Sequence, residues 1–319
     1  MRMKLKGFIA ITLVSLMVTS QMAYAAENKD KQAQSSKNAT EEMYITGKEA
    51  GDGVYDTSAH VCTTGQEVLE VMVSAALKDE EKIRIYMTEE AYDELDKMNY
   101  EYGYDLVTAA SKYVDSPDTS KDGEYFSYWV SLAFDDGRFD FHEEEHTVSR
   151  YLWLSYDLSK VQDKKLDDKI ASILKSLKLD KKSDYDKVKA IHDYVIKNAN
   201  YGGSNHTLNA YGVLIDKKGV CQSYALAAYR LFNDAGIECK MIGANTHVWN
   251  LVKVDGKWYY IDLTWDDEKT KSNSNICYTY FLKGSKDFTD HASYTKGYNN
   301  ADKKLIKELP LSSTGYKKK

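Results

Sequence analysis

Cysteine and proline are scarce in this chain of 319 residues, which holds four of the first and two of the second. Cys62, Cys221, Cys239 and Cys277 sit at irregular spacings in a long chain. That excludes the disulfide frame by which a small secreted domain makes up for a thin core. Long apolar runs are missing too. The longest, Phe8 to Val18, has about a dozen residues, short of the ~20 that a membrane-spanning helix needs. A formal charge of -6 and a pI near 5.7 leave no basic surplus, so nucleic acid is not expected as a partner. No nucleotide loop, haem-attachment site or calcium loop is present, and no cofactor or metal is expected. The 26 tyrosines are unusual but point to no single chemistry.

What is present begins with a targeting pattern. Arg2, Lys4 and Lys6 precede the apolar run, and Ala23-Tyr24-Ala25 follows it as a small-x-small cleavage site. Residues 1–25 therefore read as a signal peptide, and the mature protein is expected to be secreted, with no membrane attachment and cell-surface association at most non-covalent. Residues 26–60 are rich in Lys, Glu, Gln, Ser and Asn and read as a flexible leader.

Residues 61–158 read as a small α+β module. Val68, Val71, Met72 and Ala75 recur at helical spacing, Ile83 to Met87 suits a short strand, and a helix is expected over Glu89 to Tyr113. Tyr125 to Phe134 and Val148 to Leu158 look like strands, with Asp136-Gly137 as a hairpin turn. Residues 159–319 read as a second domain. Leu166, Ile170, Ile173, Leu174 and Leu177 mark one helix face. Ser183 with Asp186 opens a second helix, whose Val188, Ile191 and Val195 face inward.

Chemistry concentrates between Gly219 and Asp267. Gly219-Val220-Cys221 leads into a helix over Tyr224 to Asp234, with Gly236 as its stop, so Cys221 falls at a helix N-terminus. Unbonded N–H groups and the helix dipole there favour a thiolate and can receive an oxyanion. Strands over Thr246 to Val254 and Lys257 to Leu263 flank Asp255-Gly256, a two-residue type I′ turn. Counting outward from it sets Trp249 opposite Asp262, so that His247 and Asp262 are diagonal neighbours on one face, roughly 7–8 Å apart at the backbone. A thiol of pKa ~8.5 needs a base. His247 would take its proton, and Asp262 would hold the imidazole in place.

Three motifs carry a resemblance. Gly219-Val220-Cys221-Gln222-Ser223-Tyr224-Ala225, His247-Val248-Trp249-Asn250 and Trp258 through Asp267 resemble those of bacterial transglutaminase-like proteins. Ile191-His192-Asp193-Tyr194, Tyr211-Gly212 and Tyr280-Phe281-Leu282 resemble the flanking segments, so the likeness runs from Asp184 to about His291. It implies an α+β, papain-like core, with the nucleophile's helix packed on an antiparallel sheet and catalytic roles for Cys221, His247 and Asp262. The superfamily includes cross-linking acyltransferases, peptidases, amidases and inactive members. A peptide or protein amide, cell-wall associated or not, is the expected substrate, and hydrolysis and transfer both stay open, as does the oligomeric state.

Tyr211 and Gln222 are candidate oxyanion donors, and Trp249 and Trp265 candidate walls of a substrate groove. His192 reads as a structural hydrogen-bonding residue, and Asp266-Asp267-Glu268 as a solvated turn. Two other functions compete: a non-catalytic surface-binding or assembly module, and a zinc protease using His142-Glu143-Glu144-Glu145-His146. The zinc reading needs that H-E-x-x-H segment to be helical, whereas its flanks look like strands.

Overall fold

The computed structural model of the chain describes residues 59–101, 106–114, 123–134, 140–142, 144–206, 208–244, 246–267, 276–288, 291 and 300–318. The expected signal peptide, nearly all of the leader, Asp136-Gly137 and Glu268 lie outside them. The chain is α+β and divides into two compact units, Met1–Ala110 with Val130–Asp157 and Ser111–Trp129 with Leu158–Lys319. Among the described residues no helix is long and apolar enough to cross a membrane.

The first unit contains β1 (Val61–Cys62), α1 (Gly65–Leu77), β2 (Lys82–Thr88), α2 (Glu89–Glu101) and most of α3 (Leu106–Ser111). Thr64 caps α1 by accepting from the Glu67 amide, and Val68, Met72 and Ala75 are buried along one stripe. The helix expected over Glu89 to Tyr113 is thus two helices.

The strand expected over Tyr125 to Phe134 is instead α4 (Gly123–Trp129) followed by β3 (Val130–Phe134). Aromatic residues fit helix and strand alike, and here packing chooses. Tyr125 and Trp129 are buried one helical turn apart, beside Phe126. Trp129 meets Phe126 edge-on at 5.9 Å. Helix α4 belongs to the second unit.

With β4 (Asp140–His142) and β5 (Thr147–Tyr156) the first unit forms a five-stranded sheet. On one edge β5 pairs antiparallel with β2. On the other its first residues take β4 and its last take β3. The strands on either side of Asp136-Gly137 therefore pair with β5 and not with each other.

In the second unit Ser159 and Gln162 form a reciprocal capping box at α5 (Lys160–Leu177), which buries Leu166, Ile170 and Ile173. Ser183 caps α6 (Asp184–Asn198). Strand β6 (Asn200–Tyr201), a π-helical turn (Gly212–Asp216) and β7 (Lys218–Gly219) lead into α7 (Cys221–Asp234). A sheet of β8 (Cys239–Ala244), β9 (His247–Val254) and β10 (Lys257–Ile261) follows, all antiparallel in the order β10-β9-β8. Helix α8 (Asn300–Glu308) comes last.

The β9–β10 turn is left-handed at both central residues, Asp255 at φ 49° and Gly256 at φ 78°, as a type I′ turn requires. Val254 pairs with Lys257, and the ladder ends at Asn250 with Ile261. The next pair outward is Trp249 with Asp262, the register read from the sequence. One sheet face carries Ile242, Trp249, Leu251, Trp258 and Tyr260 in a cluster with Tyr280 and Phe288. Asn250, pointing to the opposite face, donates from Nδ2 to the Ala225 carbonyl at 3.1 Å and so ties β9 to α7.

Candidate active site

Cys221 is the first residue of α7, behind the extended N-cap Val220 (φ -105°, ψ -177°). The Gly-Val-Cys entry is steric. A Cβ on Gly219 would meet Ser223 Oγ at 2.0 Å and Val213 Cγ2 at 2.9 Å. Ser223 itself folds back to donate to the Val220 carbonyl at 2.8 Å. The first-turn N–H groups have no carbonyl within the helix to bond, so they are available beside the thiol, which is partly exposed. Sγ lies 3.9 Å from the Thr246 carbonyl, next to His247 at the start of β9.

Asp262 follows the last residue of β10 and is completely buried. Its Oδ1 accepts the Trp265 amide at 3.0 Å, which starts the helical turn over 263–267. Its Oδ2 accepts His247 Nε2–H at 2.6 Å and His291 Nε2–H at 2.9 Å. Burial alone would raise the pKa of this carboxyl. The bonds from His247 and His291 more than offset that and hold it below the usual carboxylate range. Because a carboxylate only accepts, Nε2 of His247 carries a proton, and Nδ1 is the nitrogen left for Cys221.

The His247 ring lies nearly parallel to two indoles, Trp249 at 5.4 Å and 29° and Trp265 at 5.1 Å and 18°. A cation over an indole face is stabilised at such distances. Burial pushes the imidazole down, but bonds to Asp262 and Cys221 carry it up to about 9. At neutral pH the base therefore already holds its second proton.

The structure thus brings Cys221, His247 and Asp262 together and treats the other candidates differently. Tyr211 is buried with its ring against His206 at 4.4 Å, a packing position. Gln222 spends a side-chain N–H on the Leu208 carbonyl at 2.8 Å. Trp249 is 1% exposed and belongs to the core under His247, so it lines no groove. Trp265 is partly buried in the same cluster.

Asp266 and Asp267 form no solvated turn; both are fully buried. Asp266 accepts from His192 Nε2 at 3.1 Å and from the Tyr280 amide at 2.9 Å, and Asp267 accepts from the Tyr224 hydroxyl at 2.6 Å. His192 is structural, as its helix position suggests. The acidic run looked hydrophilic in sequence because none of its partners is adjacent.

The zinc-protease segment is not helical. His142 ends β4, buried against Ser149 Oγ at 3.1 Å and stacked on Tyr86, while His146 is exposed at φ 49° in the turn before β5. Histidines so placed do not share a helix face. Among the described residues, His247, Asp262 and His291 form the cluster whose possible ligand atoms all lie within 4.8 Å of one another. Its two closest approaches are the N–H···O bonds already given. His291 had no signal in the sequence: it stands 29 residues beyond Asp262, at no motif spacing.

Compared with known proteins, residues 171–263 match the family model of the transglutaminase-like superfamily. The chain carries a transglutaminase-like core. The matched stretch contains Cys221 and both strands of the His–Asp hairpin, and it ends before His291. None of the curated proteins matches the chain.

Several solved structures are similar to it, three of them as follows. One described as a TGase is 15% identical, covers 58% of this chain and 51% of its own, and has a TM-score of 0.31. A candidate cysteine protease from Cytophaga hutchinsonii is 19% identical over 42% of this chain and 64% of its own, at a TM-score of 0.23. A candidate protease from Parabacteroides distasonis is 14% identical over 56% and 39%, at 0.27. The chain spans between 39% and 64% of the length of these structures.

Proposed function

We propose that the protein is a secreted thiol enzyme that opens peptide or protein amide bonds through a Cys221 thioester, with His247 and Asp262 completing the triad. The observation that carries this reading is the 2.6 Å bond from His247 Nε2 to a buried Asp262 carboxylate, with Nδ1 left to the thiol at the N-terminus of α7. The targeting pattern of residues 1–25 is the ground for secretion.

The thiolate attacks the amide carbonyl carbon, and the carbonyl π electrons move to oxygen, facing the first-turn N–H groups of α7. As the tetrahedral species collapses, His247 gives its proton to the departing nitrogen, and ammonia or an amine leaves. His247, now neutral, takes a proton from water or from a second amine as that nucleophile attacks the thioester. That proton restores the imidazolium, and the second collapse expels the Cys221 thiolate beside it. Asp262 stays ionised throughout and keeps the ring oriented. Water as the nucleophile makes the protein a peptidase or amidase; an amine makes it an acyltransferase.

Mass spectrometry of wild type and Cys221→Ala, incubated with casein and a biotinylated amine, tests this. Cys221-dependent incorporation of the amine establishes transfer, and Cys221-dependent cleavage without incorporation establishes hydrolysis. A Cys221 thiol inert toward iodoacetamide at neutral pH would sink the enzyme reading in favour of a binding module.

A further inference from the structure

We propose that His291 is a positioning residue of the site, a second imidazole that holds the Asp262 carboxylate through the same oxygen as its catalytic partner. This rests on reading Cys221, His247 and Asp262 as a thiol triad. Both imidazoles donate to the same oxygen, His247 at 2.6 Å and His291 at 2.9 Å. With the Trp265 amide on Oδ1 at 3.0 Å, three N–H groups converge on one carboxylate.

The His291 ring is completely buried and tightly packed. Phe288 stacks on it at 3.7 Å and 20°, Trp265 lies at 3.9 Å, and Trp249 and Tyr280 each approach edge-on at 5.1 Å. A ring held on so many sides keeps its Nε2–H aimed at Oδ2. Core packing alone has no need of an imidazole there; a phenyl ring of similar size would fill the space without a polar atom to satisfy.

Two consequences follow from the shared oxygen. A carboxylate oxygen has two lone-pair directions. With His291 holding one, the carboxylate cannot swing and His247 is confined to the other, which fixes its tautomer and points Nδ1 at the thiol. Each N–H donor also favours the ionised carboxyl, so His291 preserves the counter-charge that the imidazolium needs in a buried site.

The role is separate from folding because it depends on a donor, which Gln can supply near the Nε2 position and Phe cannot. The test compares His291→Phe and His291→Gln in the full chain, following iodoacetamide alkylation of Cys221 across pH by mass spectrometry. In His291→Phe the neutral-pH rate is expected to fall about tenfold, the order expected for losing one charge-assisted hydrogen bond. The acid limb is expected to rise by about half a pH unit or more, because the carboxylate is easier to protonate. His291→Gln should restore most of both. A folded His291→Phe with the wild-type rate and limb overturns the proposal, as does a Gln variant that behaves like the Phe variant.

Should the Phe variant fail to fold, long-range proton–nitrogen NMR of the wild type decides. His291 must be found protonated at Nε2, and a ring lacking that proton overturns the clamp. An inert wild-type thiol would instead refute the enzyme reading, and the NMR result would still judge the clamp on its own.

Discussion

Two buried histidine–aspartate pairs are anchored one helical turn apart, at Asp262 and Asp266, and they differ in what faces the second ring nitrogen. His247 bonds Asp262 through Nε2 and leaves Nδ1 to the partly exposed Cys221. His192 bonds Asp266 through Nε2 at 3.1 Å, but its Nδ1 meets a second carboxylate, Asp193 Oδ1, at 3.2 Å. Asp193 is in turn held by Lys189 at 2.5 Å and by the Tyr278 hydroxyl at 2.9 Å. Burial pushes the His192 imidazole down, yet the two flanking carboxylates win and raise it. The same cation, offered a thiol, is poised for chemistry; closed between two carboxylates, it is a strut. The partner on the far nitrogen separates reactivity from support here, and burial does not.

The comparison is broken most directly by removing one ring at a time. His247→Gln is expected to lower turnover by roughly 10³-fold or more, the order seen when a triad loses its proton carrier, and to lose the stability that the raised imidazole contributes at pH 7. His192→Leu should cost stability and spare the chemistry. It leaves Asp266 buried without its cation, which costs about 3–5 kcal/mol, while the folded fraction alkylates at Cys221 normally. If His192→Leu abolishes alkylation in protein shown to be folded, the two pairs are not separable and the distinction fails.

A pH titration sharpens it. Both imidazoles are raised in the fold, so each contributes stability that is complete below the ordinary imidazole value near 6.5 and is lost as pH rises through its folded value. For His247 that window ends at about 9, which is also where the basic limb of amide cleavage is expected, as the proton for the leaving nitrogen disappears. On the acid side Asp193 is carried the other way. Burial would raise it, but His192, Lys189 and Tyr278 lower it to about 2. Its contribution is present above about 3.8 and fades as pH falls toward 2. Urea midpoints recorded at pH 3, 7 and 9.5 should therefore be highest at 7, and flattening of the alkaline decline in His247→Gln would assign that part to His247.

The smallest effect is expected from Gly256→Ala. Its φ of 78° suits glycine, so the change costs about 1 kcal/mol while the pH profile stays unchanged. An altered profile would mean that the hairpin register, and not only its stability, sets the His247–Asp262 distance.

The hairpin was legible before any coordinates because two constraints act locally: a two-residue turn fixes register, and side chains alternate with period 2. Cys221 at a helix start was legible from Gly219 and the apolar spacing after it. His192 was legible because Val188, Ile191 and Val195 defined the inward face beside it.

What escaped depends on distant segments. His291 reaches Asp262 only because the chain returns along β10, where Tyr260 bridges Lys283. Asp266 and Asp267 read as surface residues until Tyr224, Tyr280 and His192 come in from elsewhere. Residues 125–129 read as part of a strand because aromatic residues suit a half-buried sheet as well as a helix face.

Two of the five tryptophans, Trp249 and Trp265, lie nearly parallel to the His247 ring at 5.4 Å and 5.1 Å. Protonated imidazole quenches indole emission by electron transfer far more than the neutral ring does. The protein therefore carries its own optical reporter of the proton on its base. Emission should brighten as His247 gives that proton up, so stopped-flow fluorescence could follow acylation and thioester breakdown in unlabelled protein, one turnover at a time.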